Sequence, residues 1–306
     1  MGETVGETVG ENVLAAERFE EHRSHLRAVA YRMLGSLSEA DDALQEAWLR
    51  VGRTDTSGVE NLAGWLTTVV ARVCLNLLRT RERQREESLD VHVDARVADA
   101  VVGPAGGRDP EEEAVLADSV GVALLVVLDT LGPAERLAFV LHDMFAVPFD
   151  EIGPMLERSP AAVRQLASRA RRRVKGASPL PESDLARRYR VVDAFLAATR
   201  GGNFDALVAL LHPDVVLHAD KAVIPTPEPV VVRGAHTVAK GAMAATGRAA
   251  FTGVALVDGT VGLAMAPRGR LSVVLVFAFT DGLITEIDVI AEPERLGRLE
   301  IAVLDN

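Results

Sequence analysis

The sequence predicts a multidomain chain in which two all-α helical domains are followed by a domain of the α+β class. Three observations carry that prediction. Apolar residues recur at offsets of three and four from Val13 to Arg83 and again from Glu111 to Lys175. A stretch holding Gly103, Pro104, Gly106, Gly107 and Pro110, with no clear period, lies between those segments. Past the cluster "SPLPES", Ser178–Ser183, the helical period gives way to valine- and threonine-rich runs punctuated by Asp258-Gly259, Pro267-Arg268-Gly269 and Asp281-Gly282. At 306 residues the chain has room for two or three such bodies, each with its own core.

Composition narrows the classes. With 48% hydrophobic and 25% charged residues and no 18-residue apolar run free of charge, the chain reads as globular, with no membrane partner. Five glutamates in the first twenty residues leave no apolar leader, and a cytoplasmic location is expected. The single cysteine, Cys74, forms no internal disulfide and lacks the His and Cys neighbours of a metal site, so it reads as a small core residue, with no cofactor implied. The formal net charge is -11, yet the charge is sorted along the chain. "RSPAAVRQLASRARRRV", Arg158–Val174, holds six arginines and no acid; Arg72–Arg85 holds five arginines against Glu82; between them, Glu86–Asp118 holds ten carboxylates against Arg96 and Arg108.

In chain order, the repeat "GETVGETVGEN" lacks the bulk to pack, and residues 1–12 read as a disordered tail. The first helical domain spans 13–84. It contains an amphipathic stretch from Phe19 to Leu34, a helix capped by Ser38 with the stripe Ala40, Ala43, Leu44, Ala47, Trp48, Val51, and a second stripe Leu62, Trp65, Leu66, Val69, Val73, Leu77. An acidic linker follows over 85–110. The second helical domain spans 111–177, and the α+β domain 183–306, where helices over Leu185–Arg200 and Phe204–Leu211 precede an antiparallel sheet.

The basic stretch has a structural logic. Ser159 is an N-cap with Pro160 at the first helical position, where its missing N–H costs nothing. In the helix that follows, Val163, Leu166, Ala167, Ala170 and Val174 fall on one face, and Arg164, Gln165, Ser168, Arg169, Arg171 and Arg172 on the other. Upstream, "PFDEIGPMLE" predicts a short helix capped by Asp150 with Ile152, Met155 and Leu156 inward. A short helix, a tight turn and a basic helix make a helix-turn-helix, whose second helix fits the major groove. Arginine there reads guanine in bidentate fashion, glutamine reads adenine, and trailing arginines hold phosphates. A solvated basic face is the competing reading; the cap, the preceding helix and the absence of acids favour DNA.

With both halves in view the sequence resembles the extracytoplasmic-function (ECF) sigma factors of bacterial RNA polymerase. "AYRMLGSLSEADDALQEAWLRV" matches region 2.1 to 2.2, "LAGWLTTVVARVCLNLLRTRERQRE" regions 2.3 to 2.4, and Leu131–Ile152 with Arg158–Val174 region 4. The resemblance implies that the partners are core polymerase, through its clamp helices and flap, and promoter DNA. It implies core binding by Asp42, Gln45, Glu46, Leu49 and Arg50. It implies contact with the melted -10 strand by Arg72, Asn76 and Arg79, with a base captured by the loop at about Arg53–Asn61. At the -35 duplex it implies Arg164, Gln165 and Arg169 on bases and Ser159, Arg171 and Arg172 on phosphates. Two departures stand out: Glu157 occupies a turn position where the pattern has glycine, and the linker lacks a Trp-Leu-Pro-Glu-Pro motif.

The third domain resembles the SnoaL-like cone, a combination similar to the sigma-J-like subgroup, in which the added domain is implicated in modulating activity. The resemblance implies a pocket for a small-molecule ligand near His218, Asp220 and Asp288, with His212 a further acid–base candidate. No catalytic pattern pairs with them, so the chain is not expected to be an enzyme by itself. Two other functions fit parts of the same sequence: a SnoaL-class enzyme tethered to a DNA-binding module, and a polymerase-independent helix-turn-helix regulator.

Overall fold

The computed structural model describes residues 3–52, 54, 58–88, 121–223 and 228–304. The acidic linker lies outside them beyond residue 88, as does part of the base-capturing loop read at Arg53–Asn61. In chain order the helices are α1 (Glu3–Leu34), α2 (Leu37–Val51), α3 (Leu62–Ser88), α4 (Val122–Thr130), α5 (Pro133–Phe139), which runs straight into a π turn at Val140–Met144, α6 (Phe149–Leu156), α7 (Pro160–Lys175), α8 (Glu182–Arg200) and α9 (Phe204–Leu210). Then come β1 (Leu211–Ala219), β2 (Val230–Arg233), α10 (Ala235–Ala244), α11 (Thr246–Ala249), β3 (Thr252–Val257), β4 (Thr260–Met265), β5 (Val273–Thr280), β6 (Leu283–Ile290), α12 (Pro293–Leu296) and β7 (Ile301–Ala302).

The chain forms two compact units, residues 1–92 with 131–171 and residues 93–130 with 172–306. The elements group differently from the three-body reading, since α5, α6 and most of α7 fall in one unit with α1 to α3. α4 was expected with the second helical domain, yet it belongs to the unit of the sheet. Its Val122, Ala123, Leu125, Val126, Val127 and Leu128 are all buried, and a helix apolar all round must be covered on more than one side.

In the first unit, α1, α2 and α3 pack on one another, and α3 also meets α5 and α6. The predicted α2 stripe is buried, although the cap is Ser36 rather than Ser38, their hydroxyls 2.9 Å apart. Trp48 is half-buried against Phe19, ring centroids 5.3 Å apart. The α3 stripe is rotated from the predicted one. Leu66, Val70, Val73, Cys74 and Leu78 are buried while Val69 and Leu77 are only partly so, because cover comes from α5 as well as from α1 and α2. Cys74 lies in that core, and burial pushes its thiol up to about 12 against the pull of Arg136 and Arg81. α1 begins at Glu3, so its helical backbone reaches through the repeat read as a disordered tail. A helix nucleated by its packed end propagates at little cost, and that repeat holds no proline to stop it.

One helix among the described residues, over Leu62–Gln84, is long and apolar enough by length and composition to cross a membrane, with mean hydropathy 1.2; the sequence reading expected none. Its most apolar residues are those that fill the core of the first unit, and a core helix passes the same test.

The second unit is a seven-stranded sheet in the order β2-β1-β6-β5-β4-β3-β7. The Asp258-Gly259 and Asp281-Gly282 turns both hold positive φ at two residues, as tight hairpins require. The sheet is not wholly antiparallel: β1 pairs with β6 in parallel, the chain returning to β1 only after four further strands and the helices α10 and α11. One face carries Phe277, Ile284, Ile287 and Val289 against Val192, Phe195 and Leu196 of α8, Leu207 of α9, and Val238 and Ala239 of α10. The other face receives α4 at β3. There a Cβ on Gly253 would lie 2.9 Å from that of Val122, so only glycine admits the helix this closely.

Candidate nucleic-acid interface

The helix-turn-helix forms as α6, a turn and α7. The cap of α6 is Pro148, with Asp150 inside the first turn rather than capping it. The turn depends on two residues. A Cβ on Gly153 would come 2.8 Å from the Arg158 carbonyl, so this close approach of the two helices needs glycine. Glu157 takes φ 54, ψ 42, the left-handed conformation that glycine would hold without strain. The Ser159 hydroxyl accepts from the Ala162 amide at 3.3 Å and starts α7 as predicted. Val163, Leu166, Ala167 and Ala170 are buried, and Arg164, Gln165, Arg169, Arg171 and Arg172 are exposed.

Several of these side chains are not loose. Arg169 Nε donates to Glu135 of α5 at 2.7 Å, and Arg171 is paired with Asp143 of the π turn. The guanidinium of Arg164 lies over the ring of Phe149, 5.4 Å from its centroid. Exposed pairs of this kind are weak, worth about 0.2–1 kcal/mol, so they do not commit these arginines to one partner. Sequence patterning found the arginines and missed Glu135, Asp143 and Phe149, because residues 15 to 34 positions away are invisible to a periodicity count.

On α3, Arg72, Asn76 and Arg79 fall on one exposed edge, brought together by their offsets of four and three. None of the three pairs with a carboxylate among the described residues. On α2, Asp42, Gln45, Leu49 and Arg50 are exposed and Glu46 is half-buried, tied to Arg50 at 2.5 Å. Leu49 is 55% exposed, one of two large apolar side chains so placed among the described residues.

Buried inside the first unit, Arg136 is only 2% exposed and donates through Nε and Nη2 to the Arg32 carbonyl, each at 3.3 Å. A cation here answers the open carbonyls and negative dipole at the end of α1. Arg81 supports the same end, reaching the Leu34 carbonyl and pairing with Glu39. Nothing in the sequence separated Arg136 from the solvent-facing arginines.

In the third set, His218, Asp220 and Asp288, the two carboxylates share one arginine. Asp220 Oδ2 accepts from the amides of Ala291 and Glu292, both at 3.0 Å, and Arg295 bridges Asp220 and Asp288 at 2.6 Å each. Burial alone would raise the Asp220 carboxyl, but the two amides and Arg295 outweigh it and hold it below the ordinary range. His218 lies 3.5 Å from Glu286 on the sheet face opposite to Leu217 and Ile287. His212 Nδ1 accepts from the Asp214 amide at 3.2 Å. Both carboxylates of the set are thus engaged as a clamp at the end of β1 and β6. The Arg295 that binds them carried no signal in the sequence. Among the described residues no group of three His, Cys, Asp or Glu side chains is placed to hold a metal ion.

Comparison with known proteins follows the same lines. The Sigma-70 region 2 family matches residues 18–84, and the Sigma-70, region 4 family matches residues 121–174. The chain is 36% identical over 300 residues to the ECF RNA polymerase sigma factor SigJ of Mycobacterium tuberculosis, covering 92% of this chain and 93% of that one. It is 32% identical over 283 residues to the probable ECF RNA polymerase sigma factor SigI of the same organism, covering 91% and 93%. Against the crystal structure of M. tuberculosis SigJ it aligns over 92% of this chain and 98% of the other, with 32% identity and a TM-score of 0.42.

Proposed function

The chain belongs to the ECF RNA polymerase sigma factors, and from that premise we propose how its own residues divide the work of promoter recognition. Arg72, Asn76 and Arg79 on the α3 edge hold the melted -10 strand. α7 enters the major groove of the -35 element, with Arg164, Gln165 and Arg169 toward bases and Ser159, Arg171 and Arg172 toward phosphates. Asp42, Gln45, Glu46, Leu49 and Arg50 dock on the clamp helices, and region 4 meets the flap. The observation that carries this reading is the exposed arginine face of α7, started by the Ser159 cap and backed by a buried apolar face.

The C-terminal α+β domain tunes the output. Its support is local: α4, the first helix of the region 4 match, is buried against β3, β4 and β7, and the Val303 amide donates to the carbonyl of Val174 near the end of α7 at 2.8 Å. A domain that holds these two places can shift how region 4 is presented. The clamped carboxylates favour this regulatory reading over an enzymatic one, since Asp220 and Asp288 are already committed to Arg295.

The test is transcription by core polymerase on genomic fragments with the full chain added. Promoter-dependent initiation is expected, lost on substitution of Leu49→Asp. Stable binding to DNA alone without initiation would overturn the assignment of the three surfaces.

A further inference from the structure

The π turn organises the arginines of α7. It supplies Asp143 to Arg171, and it supplies His142, whose imidazole stacks on Phe149 with centroids 3.7 Å apart and planes at 26°. The Nδ1–H of His142 donates to the Val147 carbonyl at 3.0 Å, which fixes the ring in place. On Phe149 rests the guanidinium of Arg164. Groups from three elements therefore meet at Phe149: the imidazole stacks on its ring and the guanidinium carbon of Arg164 lies 5.4 Å from its centroid. π turns recur at functional sites because the extra residue re-aims side chains that an α-helix would send elsewhere.

We propose that Phe149, backed by His142, is a specificity-determining positioning residue that pre-orders the guanidinium of Arg164 for one base pair of the -35 element. An unrestrained arginine loses rotamer freedom when it forms a bidentate pair with guanine, and it reaches phosphates as easily as base edges. Holding the guanidinium over an aromatic ring removes part of that freedom in advance while its N–H groups can still donate. Phe149 touches no base itself; it acts through Arg164. The inference rests on the proposal that α7 reads the -35 duplex.

The experiment uses the full chain with core polymerase and a library of promoter fragments randomised across the -35 element, with transcripts sequenced. Arg164→Ala is expected to flatten the preference at one position. Phe149→Leu should lower the preference at that same position about 2- to 5-fold, Phe149→Tyr should retain it, and His142→Ala should give a smaller loss there. Phe149→Leu placed on top of Arg164→Ala should add nothing, since non-additivity marks residues acting through one contact. A Phe149→Leu protein that keeps the parent preference, flattens all positions alike, or adds a further loss in the Arg164→Ala background overturns the platform alone. If Arg164→Ala itself leaves every preference in place, base reading by Arg164 falls and the platform falls with it.

Discussion

Arginines are paired with carboxylates in both units, at nearly the same distance, and the consequences are opposite. On α7, Arg169 reaches Glu135 at 2.7 Å; at the end of the sheet, Arg295 reaches Asp220 and Asp288 at 2.6 Å. The arginines are similarly exposed, 49% and 40%, so the difference lies in the acids. The Glu135 side chain is 19% exposed, whereas Asp220 is 8% exposed and also accepts two backbone amides. An ion pair becomes structural when its carboxylate has buried partners besides the cation.

The largest way to break the comparison is Asp220→Ala. It leaves two amides and the Nη1 of Arg295 without their acceptor and should cost about 2–3 kcal/mol, read by denaturant unfolding of the full chain. A cost below about 0.5 kcal/mol would mean that the clamp is no stronger than the surface pairs.

Acid sharpens the same contrast. The Asp220 carboxyl is held below its unfolded value of about 3.9, so its stabilisation is fully present above that value and is lost as pH falls through the lower folded one. The stability gap between the parent and Asp220→Asn should hold steady from pH 8 to about 5 and close in stronger acid. A gap that instead widened toward low pH would reverse the assignment.

Releasing the surface pairs should do the converse. Glu135→Gln with Asp143→Asn is expected to change stability by less than about 1 kcal/mol while tightening duplex DNA binding about 2- to 5-fold per freed arginine at low salt. Weaker binding would show that those acids orient the arginines rather than compete for them.

The smallest effect belongs to arginines with no acid partner among the described residues. Arg72→Ala should lower the salt-dependence slope of single-stranded -10 binding by about 0.7 and leave -35 duplex binding as it was.

Much of this was legible from periodicity. Ser159-Pro160, the buried set Val163, Leu166, Ala167 and Ala170, and the Asp-Gly hairpins follow from local chemistry, which acts over a few residues and is written in order along the chain. The α3 stripe was legible only in part, because Val69 and Leu77 are placed by what covers the helix and not by its own spacing. The strained turn at Glu157 was flagged by the missing glycine, and its φ of 54 followed from the same fact. The π turn and the parallel pairing of β1 with β6 had no local mark.

By itself, then, the order of residues determined the helical and α+β classes, the basic face of α7 and the family. Tertiary structure decided what each charged group does: that Arg136 is buried on a carbonyl, that Asp220 and Asp288 serve Arg295, and that α4 is covered by the sheet. The physical reason is range. Helix periodicity and capping arise between neighbours in sequence, whereas the state of a charge depends on which distant atoms replace water around it, and only the folded chain brings those atoms together.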